Sequence, residues 1–354
     1  MLRTKAWDSP SSGWWQRRFD LGPWDRVASL VMESAVRVSV STSGPVGFVE
    51  KARVFLACVV AVLLLRTVGW MVAEPTDPDM AVSFSASGRA VLASWPALAV
   101  LTAVAAVLGT TIAGRRLPEA GVFAAGVGLA TLALRGGSME VLLAYDTTGR
   151  RALMMAMARD CLLWTALMAV TWIVNALVWR WLWTDQPAGD GAASSPAPTE
   201  PRAKKPAAKP ARSRGGWADW PALAITAVIG AVVIWMTIAR TPVAVIARGQ
   251  VIASIAAGLY LGAMAARYFT GIEDARWFVL AVPAVALVGY LLGYINGDMS
   301  WAQNSGYKFY ALLATTPPHS LARPLPLEYL AVGVPAALAG FWSGQRVEHA
   351  VTTP

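Results

Sequence analysis

The stretch "VFLACVVAVLLLRTVGWMVA" runs from Val54 to Ala73 and carries one charge, Arg66. A helix rises about 1.5 Å per residue, so roughly 20 apolar residues cross a hydrocarbon core of about 30 Å. This segment therefore reads as a membrane span, Val54–Val72 at its apolar centre. It is too long and begins too far into the chain for the apolar core of a signal peptide, so an uncleaved first span is expected.

Working outward, comparable runs recur at Ala93–Ala113, Ala120–Leu134, Cys161–Trp183, Pro221–Ala239, Val251–Ala266, Trp277–Ile295 and Tyr329–Trp342. The third and the last are short for a lipid-spanning helix. Composition agrees with a membrane protein: the 354 residues are 56% hydrophobic and 14% charged, with a mean hydropathy of +0.49. Soluble domains carry about 25% charged residues. Backbone in lipid must satisfy its own hydrogen bonds, and the alternating segments of a barrel are absent from the sequence. The expected fold class is all-α: a polytopic integral membrane protein of about eight transmembrane helices.

Basic residues favour the cytoplasmic side. Lys and Arg crowd the N-terminal segment 1–53, the turn holding Arg115 and Arg116, and the connector 184–219. Eight alternating spans put all three on one side. The opposite side receives Glu74, Asp77 and Asp79, and the loop 298–327. Both termini, including the tail 346–354, are then cytoplasmic, in an inner or plasma membrane. Arg150, Arg151 and Arg159 dissent, which a re-entrant "SMEVLLAY" or a miscounted third span would explain. Trp70, Trp95, Trp179, Trp181, Trp183, Trp217 and Trp220 flank predicted spans, where indoles favour the membrane–water interface.

The connector includes "APTEPRAKKPAAKPARSRGG" (Ala197–Gly216), with Arg202, Lys204, Lys205, Lys209, Arg212 and Arg214. Its Pro, Ala and charge content predicts a disordered linker. It lacks the aromatic platforms of single-strand nucleic-acid binders, which argues against such a partner. Contact with anionic lipid suits it better, each base near the surface contributing about 1 kcal/mol. A further amphipathic stretch, residues 23–40, has Trp24, Val27, Val31 and Val38 on one helical face and reads as an interfacial helix or as one packed on the chain's own loops.

The linker divides the spans into halves, 54–183 and 220–345. A weak internal echo supports duplication. "WPALAVLTAV" at Trp95 recurs as "WPALAITAV" at Trp220, an inverted register. A rival register pairs "RAVLAS" at Arg89 with "GQVIAS" at Gly249 and gives two parallel four-helix halves, the arrangement preferred here.

Three polar residues stand out as a candidate intramembrane site. Arg66 in a span must be paired, snorkelled or facing water. It reads as a substrate or ion contact, or as a charge satisfied by the interface or by Glu74 or Asp160. Asn175 lies mid-span, where amides commonly bond across helices. Asp160 falls near a predicted outer end. Glycine pairs such as Gly258/Gly262 and Gly289/Gly293 suit close helix packing, or a pore lining.

Catalytic patterns are thin. The histidines, His319 and His349, lie outside the predicted spans, and no HExxH or Cys/His cluster is present. "YD" ending at Asp146, "INGD" ending at Asp298 and "PAAL" at Pro335 resemble fragments of the intramembrane aspartyl protease signatures, but "INGD" lacks the first glycine of GxGD. No catalytic residue, metal site or cofactor is expected. The expected function is a non-enzymatic membrane assembly or scaffold component with unknown protein partners in the lipid bilayer. The alternative is a small-solute transporter or permease with a site near Arg66, between the halves.

Overall fold

Turn chemistry punctuates the chain into helices. Gly114 (φ +84°) and Gly271 (φ +63°) occupy the left-handed region just past two helix ends. Their N–H groups bond to the carbonyls of Thr110 (3.0 Å) and Arg267 (2.9 Å), closing the last turns. Pro221 sits in the first turn of another helix, where no N–H is required.

In the computed structural model, described residues are 47–77, 80–85, 91–146, 149–183, 219–238, 244–296, 317 and 319–352. They contain no strand and belong to one compact unit, Ser39–Pro354. Helix α1 comprises Phe48–Leu64, a π-helical turn at Leu65–Gly69 and a last turn at Trp70–Ala73. The others are α2 (Val91–Ala113), α3 (Ala120–Arg135), α4 (Met139–Tyr145), α5 (Arg150–Trp183), α6 (Trp220–Thr237), α7 (Ala244–Thr270), α8 (Arg276–Ile295) and α9 (Pro326–Thr352). A 3-10 turn, Ser320–Ala322, precedes α9.

Six of these helices are long and apolar enough to cross a membrane, and a seventh span arises if α3 and α4, bent by 44°, are taken together. Large apolar side chains cover the outside: Phe55 is 71% exposed, Met71 74% and Met236 66%. Such a surface suits lipid contact.

Several boundaries differ from expectation. The fourth span begins eleven residues earlier, at Arg150 rather than Cys161, so Arg150, Arg151 and Arg159 are helical. "SMEVLLAY" is the short bent helix α4, buried through Met139, Glu140, Leu142 and Leu143. Residues 346–352, expected in a tail, continue α9. The linker charges Arg202 to Arg214, the stretch 23–40 and most of loop 298–327 lie outside the described residues.

The two segments that looked too short for lipid sit at the centre. α3 buries Ala120, Val122, Ala125, Leu129 and Leu132, and α9 buries Tyr329, Leu330, Ala331, Val334, Leu338 and Phe341. The two helices pack together, with Gly126 against the ring of Pro335 (a Cβ there would meet Pro335 Cγ at 2.6 Å). A helix sheathed by protein does not have to match the bilayer alone. By contrast, only 28% of the apolar window of α1 and 22% of that of α6 is buried.

Packing follows a pattern. α1 touches α2 and α3, α2 touches α5, and α3 touches α5; correspondingly α6 touches α7 and α8, α7 touches α9, and α8 touches α9. Across the middle, α3 meets α9 and α5 meets α8. The close packing of α2 on α3 lacks a counterpart of similar extent between α7 and α8.

Small residues make these approaches. Gly258 faces the Gly230 carbonyl, Gly262 the Thr226 carbonyl, and Gly340 the Tyr260 carbonyl. The glycine pairs thus serve helix packing. Gly340→Ala is expected to cost about 1–3 kcal/mol by overpacking. Gly249→Ala, where a Cβ meets nothing within 4 Å, should be neutral or stabilising by up to about 1 kcal/mol. Thermal unfolding in one detergent checks both.

Candidate functional site

Contacts sort the helix termini into two ends. At one, the Gly137 N–H bonds to the Met80 carbonyl (3.0 Å) and Arg248 donates to the Ala133 carbonyl. At the other, Arg116 pairs with Glu50 (2.6 Å) and Trp179 donates to the Arg115 carbonyl (3.2 Å). We call them the Glu140 end and the Asn175 end.

Asn175, on α5, is 3% exposed. Its Nδ2 donates to the Pro118 carbonyl (2.7 Å), and its Oδ1 accepts from the Thr110 hydroxyl. Gly121 leaves room for both partners, since a Cβ there would collide with Asn175 Oδ1 and Thr110 Oγ1. The amide thereby ties α5 to the end of α2 and to the turn before α3.

Asp160 is fully buried on the same helix at the Glu140 end. It accepts from the hydroxyls of Ser83 and Ser85 and from the Phe84 N–H (2.9 Å). Phe84 then packs on Trp164, ring centroids 4.6 Å apart. This carboxylate anchors the segment 81–85; it does not pair with Arg66.

Arg66 stands apart from both. It lies in the π-turn of α1 on an exposed face, while Ala57, Ala61, Leu65, Gly69 and Ala73 form the buried one. It is exposed whereas Asn175 and Asp160 are buried with partners of their own, so the three do not share a site. The tryptophans that flank the spans divide in two. Trp70 and Trp179 are buried, whereas Trp181 and Trp220 are 77% and 59% exposed.

The densest polar cluster is one that residue type alone did not single out. At the Glu140 end, Arg323 Nε donates to Glu140 Oε1 (2.7 Å), and both residues are buried. Nearby, Arg248 Nε lies 3.6 Å from Glu328 Oε1. Glu328 Oε2 accepts the Leu325 N–H (2.8 Å), putting a carboxylate at the positive end of α9. Arg248 in turn reaches an unsatisfied carbonyl in the last turns of α3. Arg135 stacks over Trp70 at 4.3 Å. Two oppositely charged pairs thus stand where α3 and α4 meet α7 and the segment before α9.

That segment is held closely. Tyr290 donates to the Pro324 carbonyl (2.7 Å) and Tyr329 to the Leu321 carbonyl (2.8 Å). Gly289 and Gly293 let residues 321–322 press on α8. His319 Nδ1 accepts the Leu321 N–H (3.2 Å), and burial pushes this imidazole below its ordinary range. The end of loop 298–327 therefore packs into the bundle. "ARPLPLEYL" displays Arg323 and Glu328 in the sequence, but nothing there names Glu140 and Arg248 as their partners.

Among the described residues, no three His, Cys, Asp or Glu side chains approach closely enough to hold a metal ion. Cys58 and Cys161 are free thiols. The arrangement fixes loops to helices and helices to one another. The chain matches no protein-family model, no curated protein and no solved structure.

Breaking a buried pair strands the other charge, which costs about 3–5 kcal/mol, whereas removing both charges is far milder. Glu140→Gln should therefore lower stability by about that amount. The double variant Glu140→Leu with Arg323→Met should recover more than half of the loss in thermal unfolding.

Glu119, the residue just before α3 at the Asn175 end, supplies a pH test. Burial, with Asp274 adding repulsion, pushes its carboxyl up to about 7. An unfolded glutamate titrates near about 4.3. The folded state therefore holds this proton more tightly. The stability it confers is complete below about pH 4 and is lost as pH rises through about 7. Glu119→Gln should flatten that part of the stability–pH curve, with its greatest relative gain above pH 7.

Proposed function

We propose that this chain is a non-enzymatic scaffold component of a membrane assembly. The observation that carries the reading is how the interior polar groups are used. Asn175 closes on Thr110 and Pro118, Asp160 on segment 83–85, and Glu140 on Arg323, each within the chain. A carrier keeps polar groups facing a midplane site that opens alternately to either side. Here Arg66, the residue on which a transport reading chiefly rested, lies on the outer face instead.

The proposed architecture is eight spans in two parallel four-helix halves, with α3–α4 and α9 as the sheathed members. The matching neighbours of α1, α2, α3, α5 and of α6, α7, α8, α9 support it, as does the reciprocal pairing of α3 with α9 and of α5 with α8. The positive-inside rule supports a cytoplasmic Asn175 end, which carries Arg115 and Arg116, with both termini on that side of an inner or plasma membrane. The linker charges Arg202, Lys204, Lys205, Lys209, Arg212 and Arg214 then lie beside anionic lipid.

Two measurements test the proposal. Cysteines placed in the linker and near residue 352 should be labelled from the same, cytoplasmic face, and a cysteine at residue 76 from the other. In mild detergent the chain should migrate in a complex well above its own 37.6 kDa. A chain that runs alone and carries a solute across reconstituted vesicles would overturn the assembly reading.

A further inference from the structure

We infer that Arg66 is the docking point for a transmembrane helix of another protein, one that carries an Asp or Glu level with it in the membrane. The inference deepens the assembly reading and rests on it.

The exposed face of α1 presents Phe55 (71%), Leu56 (53%), Leu63 (59%) and Met71 (74%), with Arg66 among them. Thr67 shares this face, but its hydroxyl is satisfied by the Leu63 carbonyl (2.6 Å). Three arginines at the same end have partners: Arg323 with Glu140, Arg248 with Glu328 and Ala133, and Arg135 with Trp70. Arg66 has none among the described residues.

Depth and direction favour a protein carboxylate over a lipid phosphate. Seven residues separate Arg66 from the helix end at Ala73, about 10 Å along the axis. Side chains in a helix tilt toward its N-terminus. For α1 that is the Asn175 end, marked by the Glu50–Arg116 pair. The Arg66 stem therefore sets out toward the middle of the bilayer. Reaching the nearer phosphates requires it to turn back against its own Cα–Cβ vector. A carboxylate on a neighbouring helix at the same level needs no such turn, and in an apolar medium the pair forms charge-assisted hydrogen bonds.

The partner is not a second copy of this chain meeting it through its described acidic groups at depth. Asp160, Glu140 and Glu328 are 0%, 8% and 2% exposed, and each is engaged internally. Among the described residues no acidic group at depth is left open to another copy, so the complementary charge is assigned to a different polypeptide.

The full chain, reconstituted in phosphatidylcholine vesicles with a fluorescent donor at Leu63→Cys, provides the test. The probes are leucine-rich helical peptides of about 24 residues, long enough to span, with one Asp, Asn or Leu level with Arg66. The Asp peptide should associate at least tenfold more tightly than the Leu peptide. Arg66→Gln should abolish that preference and Arg66→Lys should keep part of it. Equal association of the Asp and Leu peptides, or an unchanged preference in Arg66→Gln, overturns the inference. So does a guanidinium–phosphorus contact, seen by solid-state NMR, that the Asp peptide fails to displace, because lipid is then the occupant. A native complex of unchanged size in Arg66→Gln removes this docking point and leaves the assembly reading standing. A chain that migrates alone in mild detergent removes that reading, while the peptide preference still reports on Arg66.

Discussion

An apolar medium leaves no water to satisfy a stray polar group, and this one constraint organises the chain. Backbone pairs with itself, so described segments crossing the apolar layer are helices. Side chains obey the same demand. Asp160 closes on segment 83–85, Asn175 on a turn and a threonine, and Arg323 on Glu140. Each closure joins elements far apart in sequence, so satisfying the polar groups also builds the tertiary fold.

The same demand explains the centre of the bundle. α3 and α9 are rich in small residues and cross where Gly126 meets Pro335. Both are enclosed by neighbours. The charge pairs Glu140–Arg323 and Arg248–Glu328 gather at one end of this central pair, where α3 stops and α9 starts. Helix termini leave backbone groups unsatisfied, and charged side chains answer them: Arg248 at a carbonyl of α3, Glu328 at the N–H of Leu325. The ionic cluster stands where helix ends meet.

Arg66 shows how far local sequence reasoning reaches. A charge within an apolar run announces that it needs a partner, but not on which side of the helix that partner stands. Exposure on α1 depends on which face carries Ala57, Ala61 and Leu65 against α2 and α3. Glu140 illustrates the converse. In "SMEVLLAY" it reads as one charge in a short apolar segment, and its partner stands at position 323, beyond reach of any periodicity argument.

By itself, the sequence determined that the chain is helical and built for a membrane, roughly where its helices run, and that its glycines permit close packing. These follow from local quantities: apolar length, turn residues and side-chain size. Only the tertiary structure decided which helices lie at the centre, that Trp70 and Trp179 are core residues, and which of the polar groups close inward. Arg66 turns outward for the same reason. Such outcomes depend on contacts between residues from 57 to 183 positions apart, and a linear pattern carries no term for them.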